Sequence, residues 1–284
     1  MHHFTTLIDA NTLSEHLSST DLTLFDCRFD LGNVQWGEAE FARAHLPGAI
    51  YLHLDRDLSG PVTASSGRHP LPDPERFARR LAELGVSPES QLVAYDQGNG
   101  AYAARLWWLA RWIGLRNVAV LDGGFAAWRV AGLPLDTAVR APQPRALGVS
   151  LAADAWVSSE TVDELRQRPG NLLVDARGTE RFAGKNETID KIAGHVPGAR
   201  NRPFLDNLGT DGRFLPAEEL RRRFGTLLGS VAPSSVIAMC GSGVTACHNL
   251  LALEHAGLTG ARLYAGSWSE WIGDPRRPIA TGAY

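Results

Sequence analysis

Cysteine is scarce in this chain: Cys27, Cys240 and Cys247 are the only three in 284 residues. An odd and sparse set argues against a disulfide framework and fits a reducing compartment, so a cytoplasmic protein is expected. Runs of one charge are also missing. The formal net charge is -3, with 28 Lys and Arg against 31 Asp and Glu. That balance gives no support to nucleic-acid or membrane-surface binding. No apolar stretch is long enough to span a bilayer. The opening Met1-His2-His3-Phe4-Thr5 has neither a basic nor an apolar leader region, so secretion is not expected. The nine histidines and three cysteines lack zinc-like spacing, and no metal or other cofactor is expected. What is present is the profile of a globular protein, 44% hydrophobic and 21% charged, in a chain long enough for two domains.

The chain repeats itself once. Leu24-Phe25-Asp26-Cys27-Arg28 resembles Leu173-Val174-Asp175-Ala176-Arg177. His45-Leu46-Pro47-Gly48-Ala49 resembles His195-Val196-Pro197-Gly198-Ala199. Leu92-Val93-Ala94-Tyr95-Asp96 resembles Val236-Ile237-Ala238-Met239-Cys240, and Gly123-x4-Trp128 resembles Gly266-x4-Trp271. Matches in one order, at spacings near half the chain length, indicate a tandem duplication and not a solenoid. The expected division is a first domain over 1–135, a linker over 136–156 containing Pro142 and Pro144, and a second domain over 157–284.

Each copy alternates short apolar runs with amphipathic segments. In the first copy strands are expected at Leu22–Asp26, Ile50–Leu52, Gln91–Tyr95 and Asn117–Leu121. Helices are expected near Ala10–Ser18, Glu38–Ala44, Asp73–Leu84, Ala101–Ile113 and Phe125–Ala131. Short, nearly all-apolar strands alternating with helices predict an α/β fold, each copy a mainly parallel central sheet flanked by helices.

The most informative stretch is Ser235 to Ala246. An apolar run ends at Cys240; Gly241 and Gly243 follow within three residues, and then a helical pattern runs from Val244 to Ala256, closed by Gly257. Strand, tight loop and helix place the cysteine where backbone N–H groups and the helix N-terminus favour a thiolate. The two glycines let the backbone curl into an anion cradle. A buried structural cysteine is the bland alternative. Two nucleophilic chemistries suit the loop. A cysteine phosphatase needs an arginine six residues after the nucleophile to clamp phosphate, and Ala246 stands there. Sulfur transfer needs only N–H groups and a hydroxyl around a persulfide anion.

With the repeats, the two His-x-Pro-Gly-Ala motifs and Cys240-Gly241-Ser242-Gly243-Val244-Thr245-Ala246, the whole chain resembles a tandem-domain rhodanese-family sulfurtransferase. The loop is similar to the mercaptopyruvate branch, because thiosulfate-type members carry basic residues where Gly241 and Ser242 are neutral. The resemblance implies two rhodanese-like domains, the first catalytically silent, since Asp96 stands at the position of Cys240 and a carboxylate forms no persulfide. It implies Cys240 as the persulfide-forming nucleophile and Gly241, Ser242, Gly243, Val244 and Thr245 as its cradle. Arg181 matches an arginine that binds the donor's anionic group, and Asp55 and His69 match an Asp/His pair acting with Ser242. The family's second substrate arginine falls at Thr188, with Lys185 and Lys191 nearby as replacements. The implied partners are a small anionic sulfur donor and a thiophilic acceptor: cyanide, a thiol or thioredoxin. A relay module that takes persulfide from a partner protein is the alternative.

Other residues invite structural readings. His45 and His195, Asp26 and Asp175, and Arg28 and Arg177 recur in both copies, the silent one included, which argues for structural hydrogen bonding. Trp107, Trp108 and Trp112 read as packing, and Cys27 and Cys247 as small core residues.

Overall fold

Short, mainly apolar runs form the central strands, and those at Gln91–Tyr95, Val118–Leu121, Leu172–Asp175 and Val236–Met239 are buried throughout. The computed structural model describes residues 3–139 and 141–282. In the first unit, β1 (Leu7–Ile8), β2 (Leu22–Asp26), β3 (Ile50–Tyr51), β4 (Gln91–Tyr95) and β5 (Val118–Leu121) form one parallel sheet in the order β1-β5-β4-β2-β3. Every residue of the central β4 is buried, as expected of a strand with helices on both sides. Helices α1 (Ala10–Glu15), α2 (Trp36–Arg43), α3 (Pro74–Glu83) and α4 (Ala103–Trp112) lie in the connections between successive strands, and α5 (Gly124–Val130) follows β5. Local chemistry sets their starts. Asp73 Oδ1 accepts the Arg76 N–H at 2.8 Å and Pro74 opens α3, a capping arrangement that satisfies one orphan donor.

The second unit repeats this plan with β6 (Trp156–Val157), β7 (Leu172–Asp175), β8 (Arg200–Asn201), β9 (Val236–Met239) and β10 (Arg262–Tyr264), parallel in the order β6-β10-β9-β7-β8. Its helices are α6 (Ser159–Leu165), α7 (Thr179–Phe182), α8 (Ala217–Leu228), α9 (Thr245–His255) and α10 (Ser267–Trp271). Leu220, Phe224 and Leu228 recur every four residues and form the buried stripe of α8. Trp268 and Trp271 are fully buried with Met239 and Tyr264 in the core beneath β9.

The two units are not simple halves of the chain. Residues 61–71 belong to the second unit and residues 210–214 to the first. The stretch expected to be linker is held to the first unit by backbone bonds: Arg145 N–H to Ala82 O at 2.9 Å, Ser150 N–H to Ile113 O at 3.0 Å and Ala152 N–H to Trp112 O at 2.9 Å. Trp156, expected in the linker, pairs with Leu263 as the first residue of β6.

The duplicated polar residues are structural in both units. Arg28 Nη2 lies 2.6 Å from Asp26 Oδ2, and Arg177 Nη2 lies 2.7 Å from Asp175 Oδ2; all four side chains are buried. Each guanidinium also donates to a loop carbonyl, Ala44 O or Gly194 O. His45 stacks on Phe41 and His195 on Phe182, each bonding that ring's own backbone carbonyl through Nδ1. Buried charges fully paired in this way fix the path of the chain after β2 and β7.

Candidate active site

β9 runs between β7 and β10 and delivers Cys240 at its carboxyl end, where ligand sites of open parallel sheets form. The chain then turns sharply. Gly243 has φ +78°, and a Cβ there would lie 2.3 Å from the Ala265 carbonyl oxygen, so only glycine fits. The turn aims backbone donors at the sulfur: Cys240 Sγ accepts from the Gly243 N–H at 3.1 Å and from the Ser242 N–H at 3.5 Å. Cys240 is 2% exposed. Val244 closes the loop and Thr245 opens α9, whose N-terminal dipole points toward the cysteine end of the loop.

A second segment grips the loop from the side. The Cys240 N–H donates to Ser267 Oγ at 3.0 Å, and Ser267 Oγ donates to Tyr264 O at 2.9 Å. The Trp268 N–H bonds Cys240 O and the Ser269 N–H bonds Gly241 O, at 3.0 and 2.9 Å. Ser267 is the one non-glycine residue with positive φ among those described, at 54°. Such a conformation costs an L-residue about 1–2 kcal/mol.

A third segment, 61–71, supplies side chains. The Arg68 N–H donates to Ser269 Oγ at 3.0 Å, which anchors the strand of chain that carries His69. His69 Nδ1 lies 2.7 Å from Ser242 Oγ, and both side chains are buried. Asp55, its expected companion, belongs to the first unit, where it is exposed and its N–H donates to His53 Nδ1 at 3.1 Å.

Charge is concentrated beside Gly241. A Cβ on Gly241 would lie 2.9 Å from Arg68 Nη2, 3.5 Å from Arg181 Nη2 and 3.7 Å from Asp190 Oδ2. Two guanidinium groups thus stand in the direction that a side chain at 241 would take. Asp190 joins them: its carboxylate pairs with Arg68 Nη1 through Oδ1 and with Arg181 Nη2 through Oδ2, the latter at 3.0 Å. Arg181 Nε also lies 3.1 Å from both Glu187 oxygens, and Glu187 reaches Arg177 at 3.5 Å. Burial raises the Asp190 carboxyl above its ordinary range, against the pull of Arg68. Burial works against Glu187 too, but the Asp190 N–H and the Arg181 guanidinium outweigh it and hold that carboxyl below the usual range.

Lys185 and Lys191 are exposed, as is Thr188. The second guanidinium at the site is therefore Arg68, 113 positions earlier in the chain than Arg181. Sequence reasoning missed Arg68, Asp190, Glu187 and Ser267. Adjacency to His69 was a usable signal for Arg68. Ser267 lay inside Gly266-x4-Trp271, which served only as a repeat marker. Cys247 is fully buried and its Sγ donates to Gly243 O at 3.3 Å, bracing the loop from within α9.

Chemically, the site offers a sulfur nucleophile, N–H donors at that sulfur, a hydroxyl paired with an imidazole, and two guanidinium groups beside Gly241. That set suits attack on an anionic donor and storage of a charged sulfur adduct.

Comparison with known proteins agrees over the whole length. The family model for the rhodanese-like domain matches residues 9–131 and 158–274. A protein of Pseudomonas aeruginosa named "Probable 3-mercaptopyruvate sulfurtransferase" is 49% identical over 278 residues, covering 97% of this chain and 98% of that one. A thiosulfate sulfurtransferase of Cricetulus griseus is 32% identical over 277 residues, covering 94% and 91%. Among solved structures, the 3-mercaptopyruvate sulfurtransferase of Leishmania major superposes with a TM-score of 0.85 at 34% identity, covering 97% of this chain and 76% of that one. No helix among the described residues is long and apolar enough to cross a membrane.

Proposed function

The chain belongs to the rhodanese family and is a sulfurtransferase, and from that premise we propose that it moves a sulfane sulfur from 3-mercaptopyruvate to a thiol acceptor through a persulfide on Cys240. The observation that carries this reading is the convergence of the Ser242 and Gly243 N–H groups on Cys240 Sγ, with Arg68 and Arg181 beside a neutral Gly241. The thiolate attacks the donor's sulfur. The carbon–sulfur bond breaks with its electron pair going to carbon, and the departing enolate takes a proton to become pyruvate. The donor sulfur stays on Cys240 as a persulfide, which the loop N–H groups stabilise as an anion.

Ser242 and His69 are assigned to that proton transfer, since a hydroxyl 2.7 Å from an imidazole forms a short relay. Arg181 and Arg68 are assigned to the donor carboxylate. Gly241, Gly243, Val244 and Thr245 form the cradle. Asp55 is assigned with His69 on the family correspondence alone, and Asp55→Asn tests it by a loss of kcat with the donor. The acceptor is a small thiol, cyanide or reduced thioredoxin, which attacks the outer sulfur and regenerates the thiolate.

The test is mass spectrometry of the intact protein after incubation with 3-mercaptopyruvate or thiosulfate. One added sulfur atom is expected on the wild type and none on Cys240→Ser. No adduct from either donor, with uptake from a protein persulfide instead, would replace this reading with that of a relay module.

A further inference from the structure

Asp190 is a carboxylate placed where an anionic donor would be expected to bind. Its side chain is 3% exposed, and its two oxygens are shared between Arg68 and Arg181. Glu187, 2% exposed, takes the remaining face of Arg181 and touches Arg177. Arg177 in turn is paired with Asp175. Three guanidinium groups therefore face three carboxylates, and the cluster beside Gly241 is close to neutral. Arg68 keeps capacity for a further acceptor: its Nε is buried with no hydrogen-bond partner among the described residues.

From this arrangement we propose that Asp190 sets the donor's charge class: by neutralising part of the Arg68–Arg181 pair, it lets the site take a monoanionic donor such as 3-mercaptopyruvate in preference to dianionic thiosulfate. This rests on the sulfurtransferase reading above. The physical basis is that one carboxylate repels a dianion twice as strongly as a monoanion at the same distance. At about 6 Å and an effective dielectric constant of about 40, one extra unit of charge changes binding by roughly tenfold. Without Asp190 the three guanidinium groups would face only two carboxylates, leaving one net positive charge beside Gly241, which favours a dianion over a monoanion. The neutrality of Gly241 and Ser242 does not by itself make the loop unfit for thiosulfate, because the guanidinium groups stand beside it; Asp190 neutralises part of their charge.

The experiment measures kcat/KM for thiosulfate and for 3-mercaptopyruvate on the same sample and takes the ratio. The ratio is independent of folded fraction, so a variant that folds poorly still reports. Asp190→Asn is expected to raise the thiosulfate-to-mercaptopyruvate ratio about tenfold. Asp190→Glu keeps the charge and is expected to hold the ratio within about threefold of wild type, which a purely geometric role would not predict. Arg68→Met moves the net charge the other way and is expected to lower the ratio about tenfold. A ratio unmoved or lowered in Asp190→Asn overturns the proposal, as does an equal shift in Asp190→Asn and Asp190→Glu. If wild-type Cys240 gains sulfur from both donors and the ratio stays fixed across the three variants, this proposal alone fails. If it gains sulfur from neither donor, the sulfurtransferase reading fails first.

Discussion

The loops after β4 and β9 are the same device used for two ends. Both follow a buried central strand and lead into a helix. Both are gripped by a segment in equivalent register: the Phe125 N–H bonds Asp96 O at 2.9 Å as the Trp268 N–H bonds Cys240 O at 3.0 Å, and the Ala126 N–H bonds Gln97 O as the Ser269 N–H bonds Gly241 O. They differ in what fills the cradle. In the first unit Asp96, fully buried, takes the N–H groups of Gly98 and Gly100 on one oxygen and those of Tyr102 and Ala103 on the other. Burial still lifts its carboxyl above the ordinary range, and those four donors oppose the rise. The loop closes on its own anion and is a structural plug. In the second unit two donors among the described residues reach the sulfur, and the shorter path from Cys240 to α9 leaves the cradle for an anion that arrives from outside. An N–H cradle selects for negative charge in both; only the supplier of the charge differs.

The largest effect in breaking this comparison should come from Cys240→Ser. Transfer from either donor is expected to fall by roughly four orders of magnitude or more, because a hydroxyl is far less nucleophilic than a thiolate. Discontinuous assay of pyruvate or thiocyanate release measures it. Next is the plug. Asp96→Ala leaves four inward-pointing N–H groups unpaired, and unfolding in urea should show a loss of about 3–5 kcal/mol. Survival of Asp96→Ala with stability within about 1 kcal/mol of wild type would show that the carboxylate is not needed to hold that loop.

Gly124 and Ser267 sharpen the contrast. They occupy matching places with φ +53° and +54°, yet only the second carries a side chain. Its hydroxyl takes the Cys240 N–H, so the strain is spent on orienting the nucleophile. Ser267→Gly should relieve strain while deleting that acceptor, giving about tenfold lower kcat with stability changed by less than about 1 kcal/mol. A fall in stability with unchanged kcat would make the serine merely structural. The reciprocal Gly124→Ser places a Cβ 2.6 Å from Asp96 O and 3.0 Å from Gly98 N, backbone atoms that cannot yield, and about 2–3 kcal/mol of stability should be lost.

Much of this was legible in the residues. β2 and β4 fall at Leu22–Asp26 and Gln91–Tyr95 as their apolar runs predict, because a parallel strand buried on both faces leaves an unbroken hydrophobic signature. β1 and β6 have two residues each, too few to carry a period. Helix positions were legible and their ends were not, since the last turn of α1 stops at Glu15 while the pattern runs on to Ser18. Cys240 announced itself through the Gly-x-Gly that follows it. Arg68 and Asp190 did not, because a charge pair between residues 122 positions apart leaves no local pattern, while the cations near Thr188 in sequence, Lys185 and Lys191, are exposed.

The smallest expected effect is a dependence of donor choice on pH. Asp190 has its carboxyl raised by burial, so it takes up a proton at a higher pH than an ordinary carboxylate would. The groups facing it are Arg68, Arg181 and Glu187. Glu187, held low, remains ionised as Asp190 titrates. Acidification therefore removes one negative charge from the cluster beside Gly241 while Glu187 stays ionised, reproducing Asp190→Asn in part. The thiosulfate-to-mercaptopyruvate ratio should rise as pH falls, by no more than the roughly tenfold of the substitution itself. Asp190→Asn should give a flat profile. A wild-type ratio that falls on acidification, or a slope that persists in Asp190→Asn, would place the titrating charge elsewhere and leave the two loops differing in their nucleophile alone.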